Sequence, residues 1–325
     1  MMKPGTRAIL SVGMAACATL SPVGVAAQGY PVKPVRLQVG FGPGGTDTAA
    51  RVFAQRFSEA LGQNVIVENR PGAAGAIAIE RVATSAPDGY NLLLMPASAT
   101  IVSALRTNLP YDLERDLAPI SLIALQALVL VVHPSVPARN VKELIALARA
   151  RPGQLSYGSN GVGSVLHFAA ELFNSMAQVK IAHIPYKGSA ESAMAILSGQ
   201  IEMSYPGLAS ALPLLESGRL RGLGVSSAKR SSLIPALPTI AESGLPGYES
   251  TTWFGVMAPV KTPKAITTQL GAAIDKVINN PDMKSALNKQ GLEPQTNSPE
   301  QFAALIRREI EQNARLIKTI GLKPE

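Results

Sequence analysis

Short apolar runs alternate with segments of helical spacing along most of the chain. Val35 to Gly40 reads as a strand. From Ala49 to Leu61 the apolar residues Ala49, Val52, Phe53, Phe57, Ala60 and Leu61 recur at helical intervals, which predicts an amphipathic helix. Asn64 to Glu68 and Asn91 to Met95 read as strands, with a helix over Ala76 to Ser85 between them. Leu117 to His133 is long enough for two extended segments joined by a bend, and the chain is expected to cross there from one lobe to another.

The second half repeats the alternation. Val141 to Arg149 is an amphipathic helix stopped by Pro152 and Gly153, and Leu155 to Tyr157 is a short strand. Val165 to Met176 carries Leu166, Ala169, Ala170 and Phe173 on one helical face. Strands over Lys180 to Ile184, Ile201 to Tyr205 and Leu220 to Ser226 are separated by helices over Ala190 to Leu197 and Ser210 to Ser217. The Pro- and Gly-rich stretch from Pro235 to Tyr248 reads as a surface connection. Trp253 to Ala258 is a strand that returns to the first lobe, and three helices finish the chain. Pro263 and Pro281 open two of them, and Ser298-Pro299-Glu300-Gln301 opens the third with capping-box chemistry. Alternation of this kind predicts a parallel-rich α/β architecture.

Composition narrows the function. With 46% hydrophobic and 16% charged residues, the 325-residue chain is long enough and apolar enough for two packed domains. The formal charge of +8 raises nucleic acid as a partner, but the Lys and Arg form no stripe and aromatics are only 5%. Nucleic-acid binding is not expected, and a mildly basic surface favours encounter with small anions. At the N-terminus, Lys3 and Arg7 precede an apolar segment from Ala8 to Leu20, and Val25-Ala26-Ala27 supplies the small residues a signal peptidase reads. Residues 1–27 are therefore expected to be a signal peptide. Cleavage near Ala27 removes Cys17, the only cysteine, and with it any disulfide or thiolate chemistry. Met14-Ala15-Ala16-Cys17 loosely resembles a lipobox, so a lipid anchor on Cys17 is the alternative.

Two loops could carry chemistry. Gly40-Phe41-Gly42-Pro43-Gly44-Gly45-Thr46-Asp47-Thr48 joins a strand to a helix. Glycines there let the backbone approach an anion, and a helix start presents free N–H groups with partial positive charge. Equally, the glycines could only turn the chain while Thr46 or Asp47 caps the helix. No Gly-Lys-Ser/Thr follows, so this is not a nucleoside-triphosphate loop. The second loop is Tyr157-Gly158-Ser159-Asn160-Gly161-Val162-Gly163-Ser164. Leu166 stands where a dinucleotide fingerprint needs its third glycine. The hydroxyls of Ser159 and Ser164, the Asn160 amide and several N–H groups suit a carboxylate instead, and a capped turn is the bland reading. Pro185-Tyr186-Lys187-Gly188-Ser189 also precedes a helix, where Tyr186 offers a hydroxyl and Lys187 a charge. His133, His167 and His183 form no metal-ligand spacing. Ser164 and His167 could be paired as nucleophile and base, but no Gly-x-Ser-x-Gly elbow surrounds Ser164. His167 reads better as a pocket-wall or capping residue, and Trp253 as a core or pocket-wall residue. No metal and no cofactor is expected.

The ordered motifs also resemble a known family. Pro43-x-Gly45-x-Asp47 with Ala50-Arg51, Val67-Glu68-Asn69-Arg70-Pro71-Gly72-Ala73-x-Gly75, Pro87-Asp88-Gly89-Tyr90 and Leu109-Pro110-Tyr111-Asp112 resemble the Bug receptors of tripartite tricarboxylate transporters. So do Tyr157-Gly158-Ser159-x-Gly161-x-Gly163-Ser164-x-x-His167, Ile184-Pro185-Tyr186-Lys187-Gly188 and the run from Leu237 to Tyr248. The resemblance implies a type II periplasmic-binding-protein fold: two α/β lobes joined by two crossover strands, with the ligand cleft between them. Lobe one would comprise residues 28–128 and 252–325, and lobe two residues 129–251. It implies a small carboxylate gripped mainly by backbone amides, facing Phe41, Gly44, Gly45, Thr46 and Asp47 from lobe one. Ala97 and Ser98 follow the third strand, and Ser159, Gly161, Gly163 and Ser164 face the ligand from lobe two. Tyr205-Pro206-Gly207 departs from the acid or Asn common in that region, so the far end of the pocket is expected to be less polar. The expected protein is a periplasmic monomer that hands its ligand to membrane transporter subunits. A ligand-sensing subunit for a membrane kinase shares the pocket but not the partner, and a small-ester hydrolase would use Ser164 and His167.

Overall fold

In a computed structural model, the structure describes Met1 and residues 29–42, 45–72, 75–186 and 189–322. The expected signal segment, Cys17, Pro43, Gly44 and Lys187 lie outside the described residues. Two sheets organise the chain. The first has the order β11-β4-β10-β3-β1-β2. It is built from β1 (Val35–Val39), β2 (Val65–Asn69), β3 (Asn91–Pro96), β4 (Leu117–Ala127), β10 (Thr251–Pro259) and β11 (Glu293–Pro294). The second has the order β7-β6-β8-β5-β9. Its strands are β5 (Val129–Val132), β6 (Ser156–Ser159), β7 (Ala182–Pro185), β8 (Met203–Ser204) and β9 (Arg221–Val225).

Side-chain alternation explains why each sheet is covered on both faces. In β3, Leu92 and Leu94 enter one core with Val35, Leu37 and Val39 of β1. Leu93 and Met95 enter the other, beside Trp253 and Phe302. The first core is closed by α1 (Gly45–Leu61), α8 (Lys264–Ile278) and α9 (Pro281–Asn288). The second is closed by α2 (Ala76–Ala83), α3 (Ser98–Leu105) and α10 (Pro299–Ile320). The other sheet repeats the plan. Leu130 and Val132 face α4 (Val141–Ala150) and α5 (Val165–Ala177). Val129 and Val131 face the side of α6 (Ser189–Leu197) and α7 (Leu208–Glu216).

The expectation of a parallel-rich fold is corrected to a mixed one. Parallel pairing joins β1 to β2 and β3, and β6 to β7 and β8, while β4, β5, β9 and β10 pair antiparallel. The cause is the double passage between sheets: a chain that leaves through β4 and returns through β10 must run in opposite senses. The two passages are stitched together where they cross. The Leu128 N–H donates to Ser226 Oγ at 2.9 Å, and the Ser226 N–H donates to the Leu128 carbonyl at 2.9 Å. The bend inside the long apolar stretch is Leu128, between β4 and β5.

Two elements escape the hydrophobic pattern. α3 is buried along most of its length, so Ser-Ala-Thr-Ile-Val-Ser-Ala-Leu shows no polar stripe to mark a helix. The Pro235–Tyr248 stretch is not simply a surface connection. Its turns hold Ile240, Leu245 and Tyr248 in the second sheet's core, and Tyr248 Oη donates to the Ala169 carbonyl at 2.8 Å. The capping box at Ser298 forms as the sequence predicts.

Gly255 marks the tightest packing of α10 on the first sheet. A Cβ there would run into the Phe302 ring. Gly255→Val should therefore cost about 3 kcal/mol or more through overpacking, read as a lower midpoint in denaturant unfolding. An unchanged midpoint would show that α10 can shift freely.

Candidate functional site

In an open α/β sheet the ligand crevice lies beyond the carboxyl ends of the parallel strands. Register fixes which loops meet there. Val39 pairs with Asn69 and with Leu94, so the turns after β1, β2 and β3 share one edge of the first sheet. Those turns open α1, α2 and α3. In the second sheet Ser159 pairs with Pro185 and Gly158 with Ser204, so the turns opening α5, α6 and α7 share an edge. The N-caps of α2, α3 and α7 are Gly75, Ala97 and Gly207, none of which makes a side-chain cap. Their first N–H groups are left without a local side-chain acceptor, which suits an incoming anion.

The first edge is locked by one amide. Asn69 Nδ2 donates to the Phe41 carbonyl and to Asp47 Oδ1, both at 2.8 Å. Arg51 Nε donates to Asp47 Oδ2 at 2.9 Å. The Arg51 hydrogen bond holds the Asp47 carboxyl below the usual range despite partial desolvation. Both Asp47 oxygens thus serve the loop. Gly40 and Gly75 let β1 and the start of α2 touch: a Cβ on Gly40 would meet Gly75 Cα at 2.6 Å. A Cβ on Gly75 would lie 3.2 Å from the Phe41 ring. Gly45 begins α1 with open space where a side chain would be, and Thr46 is half-buried behind it. Ala97 is buried, its N–H donating to the Trp253 carbonyl at 3.0 Å, and Ser98 follows half-buried.

Two imidazoles lock the second edge. His167 and His183 stack with centroids 4.2 Å apart, and Tyr157 lies against His183 at 4.9 Å. His183 Nε2 meets Ser159 Oγ at 2.6 Å, and the Gly161 N–H donates to the same hydroxyl at 3.1 Å. The Gly163 N–H donates to His167 Nδ1 at 3.2 Å, so the ring proton of neutral His167 sits on Nε2. Burial, reinforced by His183, pushes His167 down to about 4. Gly161 and Gly163 have φ of 104° and 79°, backbone only glycine adopts without strain. Asn160 lies half-buried between Ser159 and Gly161. The Tyr186 N–H donates to the Ser159 carbonyl at 3.0 Å, which brings Tyr186 onto this edge.

The nucleophile–base pairing of Ser164 with His167 does not form. Ser164 is the N-cap of α5 and accepts the backbone N–H of His167 at 3.3 Å, while the imidazole turns to Gly163. Trp253 is fully buried in the core, not in a pocket wall. Residues that the sequence reading passed over carry much of the geometry. Asn69 lies within the run from Val67 to Gly75, but nothing in the sequence signalled the contact of His183 with Ser159. Leu105 is another: a Cβ on Gly163 would lie 3.3 Å from its Cδ2. Ile101 and Leu105 of α3, Phe168 of α5 and Ile317 of α10 form one apolar cluster, so the two edges meet through these helices. Two surface cavities, of about 440 and 260 Å³, are lined by other residues, among them Leu215 and Leu237 in the larger and Lys142 and Arg149 in the smaller.

A lowered histidine pKa has a definite sign. Between 6.5 and about 4 the unfolded chain binds the proton that folded His167 refuses, so this group's contribution is present above 6.5 and is lost as pH falls through that window. The loss is at most about 1.4 kcal/mol per pH unit. His167→Asn, which keeps an acceptor near the Gly163 N–H, should remove that contribution, so that wild type loses stability relative to the variant as pH falls from 6.5 to about 4. The same pH dependence in both proteins would mean that His167 is not held neutral.

Comparison with known proteins gives consistent kinship. The profile described as "Tripartite tricarboxylate transporter family receptor" matches residues 49–322. The chain is 36% identical to protein BugT of Bordetella pertussis over 319 residues, covering 97% of each chain. Among solved structures, Rpa4515 of R. palustris with adipate is 37% identical with a TM-score of 0.80, over 91% of this chain and 100% of that one. MatC (Rpa3494) from Rhodopseudomonas palustris with bound malate is 28% identical with a TM-score of 0.75, over 89% and 100%. With its two mixed sheets and helix starts gathered at two strand edges, the chain belongs to the tripartite tricarboxylate transporter receptor family and has the fold of periplasmic solute-binding proteins.

Proposed function

We propose that this protein captures a small carboxylate between two lobes, residues 28–128 with 252–325 and residues 129–251, and delivers it to membrane transporter subunits. The reading rests on one observation above the others: at both parallel-strand edges the chain turns into helices whose opening N–H groups point anions inward by dipole and donor alike. The adipate and malate in the related structures support a dicarboxylate as the class. Phe41, Gly44, Gly45, Thr46, Ala97 and Ser98 would contact the ligand from the first lobe. Ser159, Asn160, Gly161, Gly163, Ser164 and Tyr186 would contact it from the second, with His167 behind them. Asp47 would act by holding the first loop, since its carboxylate is already spent on Arg51 and Asn69. The protein would work in the periplasm after cleavage near Ala27, as a monomer and without chemistry on its ligand. Closure would follow from tighter binding in the closed state.

A thermal-shift panel of mono-, di- and tricarboxylates tests this. A true ligand at a hundred times its Kd should add about 2.7 kcal/mol of stability. No stabilisation by any carboxylate would remove the proposal. Asp47→Ala combined with Gly163→Val should weaken binding by roughly a hundredfold, about 2.7 kcal/mol, because the first loosens one loop and the second strains the other. Undiminished affinity in titration calorimetry would show that the loops do not hold the ligand.

A further inference from the structure

Glu309 is a half-buried acid that the binding geometry leaves unused. It sits on α10 where that helix meets β10 and α3. Its Oε1 accepts the indole N–H of Trp253 at 2.8 Å, and its Oε2 lies 3.1 Å from Thr100 Oγ1. Thr100 has one hydroxyl proton and a closer acceptor, the Ala97 carbonyl at 2.8 Å. Asn313 Nδ2 already donates to the same Thr100 oxygen at 3.1 Å. If the hydroxyl proton goes to Ala97, two oxygens face each other at 3.1 Å unless the carboxyl itself carries a proton and donates it. Thr100 lies in the first turn of α3, so this chain of contacts ends at Ala97, the N-cap that opens α3 at the candidate site.

We propose that Glu309 is a neutral acid in the folded protein and a positioning residue for the start of α3, so that its ionisation loosens the Ala97–Ser98 edge and weakens ligand binding. Burial of the carboxyl pushes it up to about 7. The charged groups facing it are few. Arg308 on its own helix favours ionisation and Glu249, ahead of β10, opposes it. The described sequences of α3 and β4 contain no titratable side chain. On α5, Glu171 is engaged with the Tyr157 hydroxyl and His167 with Gly163. The link to ligand rests on the carboxylate-binding reading; the protonation of Glu309 does not.

Trp253 is the only tryptophan in the chain, so its fluorescence reports on the hydrogen bond to Glu309. The experiment compares the wild-type protein with Glu309→Gln, whose amide can accept from Trp253 and donate to Thr100 at every pH. Wild-type fluorescence, without ligand, should titrate with a midpoint near 7, and the variant should lack that step. The stability sign is fixed as well. Between 4.5 and about 7 the folded form keeps a proton the unfolded chain releases, so the Glu309 contribution is lost as pH rises through that window. His167 acts in the opposite sense, so the readout is the difference between the two proteins: similar melting temperatures at pH 4.5, and the variant higher at pH 8. Adipate, used as the probe, should bind several-fold more weakly to wild type at pH 8 than at pH 6, with a smaller change in the variant. A flat wild-type fluorescence titration, or the same step in Glu309→Gln, overturns the proton assignment. A titrating Trp253 with equal pH dependence of adipate affinity in both proteins overturns the positioning role. Absence of adipate binding at any pH, with carboxylates in general also failing, counts against the binding reading and with it against the positioning role, while the fluorescence step still decides the proton.

Discussion

A strand that ends inside a parallel sheet hands the chain to a helix, and the first N–H groups of that helix have no partner within it. That constraint recurs at both edges of this molecule. β1, β2 and β3 deliver three helix starts to one edge, and β6, β7 and β8 deliver three to the other. The rest of the architecture serves to bring those two edges into one molecule. Antiparallel β4 and β10 carry the chain out and back, Leu128 and Ser226 bind the two passages together, and the cluster of α3, α5 and α10 joins the edges on one flank.

Holding backbone donors in place requires a scaffold behind them, and each edge uses a different one. At the first, a carboxylate, an amide and a guanidinium form a compact polar network around Phe41 and Asp47. At the second, two neutral imidazoles stacked on one another hold Ser159 and Gly163. The first scaffold is charged and partly wet; the second works only while its histidines stay neutral. Acid therefore acts on the second edge, and rising pH acts on Glu309 behind the first. The two sensitivities oppose one another across the mildly acidic range, which leaves a combined stability that changes less with pH than either group alone would give.

Much of this was legible in the sequence, and the exceptions have physical causes. Helices with one wet face, such as those beginning at Val141 and Pro299, show their period directly, and the capping box at Ser298 marks its own boundary. The glycines of both loops were visible because positive φ at Gly161 and Gly163 admits little else. α3 was invisible because a helix buried on nearly every side has no polar stripe. The contacts of Asn69 with Asp47, His183 with Ser159 and Glu309 with Trp253 span 22, 24 and 56 residues of sequence, and no local pattern encodes a partner at that distance. The family resemblance pointed Asp47 at the ligand, and only the positions of Arg51 and Asn69 reveal that its oxygens already hold the first loop.

The central claim is that one anion is gripped by helix starts from both sheets at once. Backbone amide resonances of 15N-labelled protein, followed while adipate is added, test it most directly. The account predicts that shifts concentrate at Gly45 to Thr48 and Ser98 to Thr100 on one edge and at Gly161 to Val165 on the other, saturating together. Shifts confined to one edge, or gathered around Leu215 and Leu237 at the surface cavity, would contradict it.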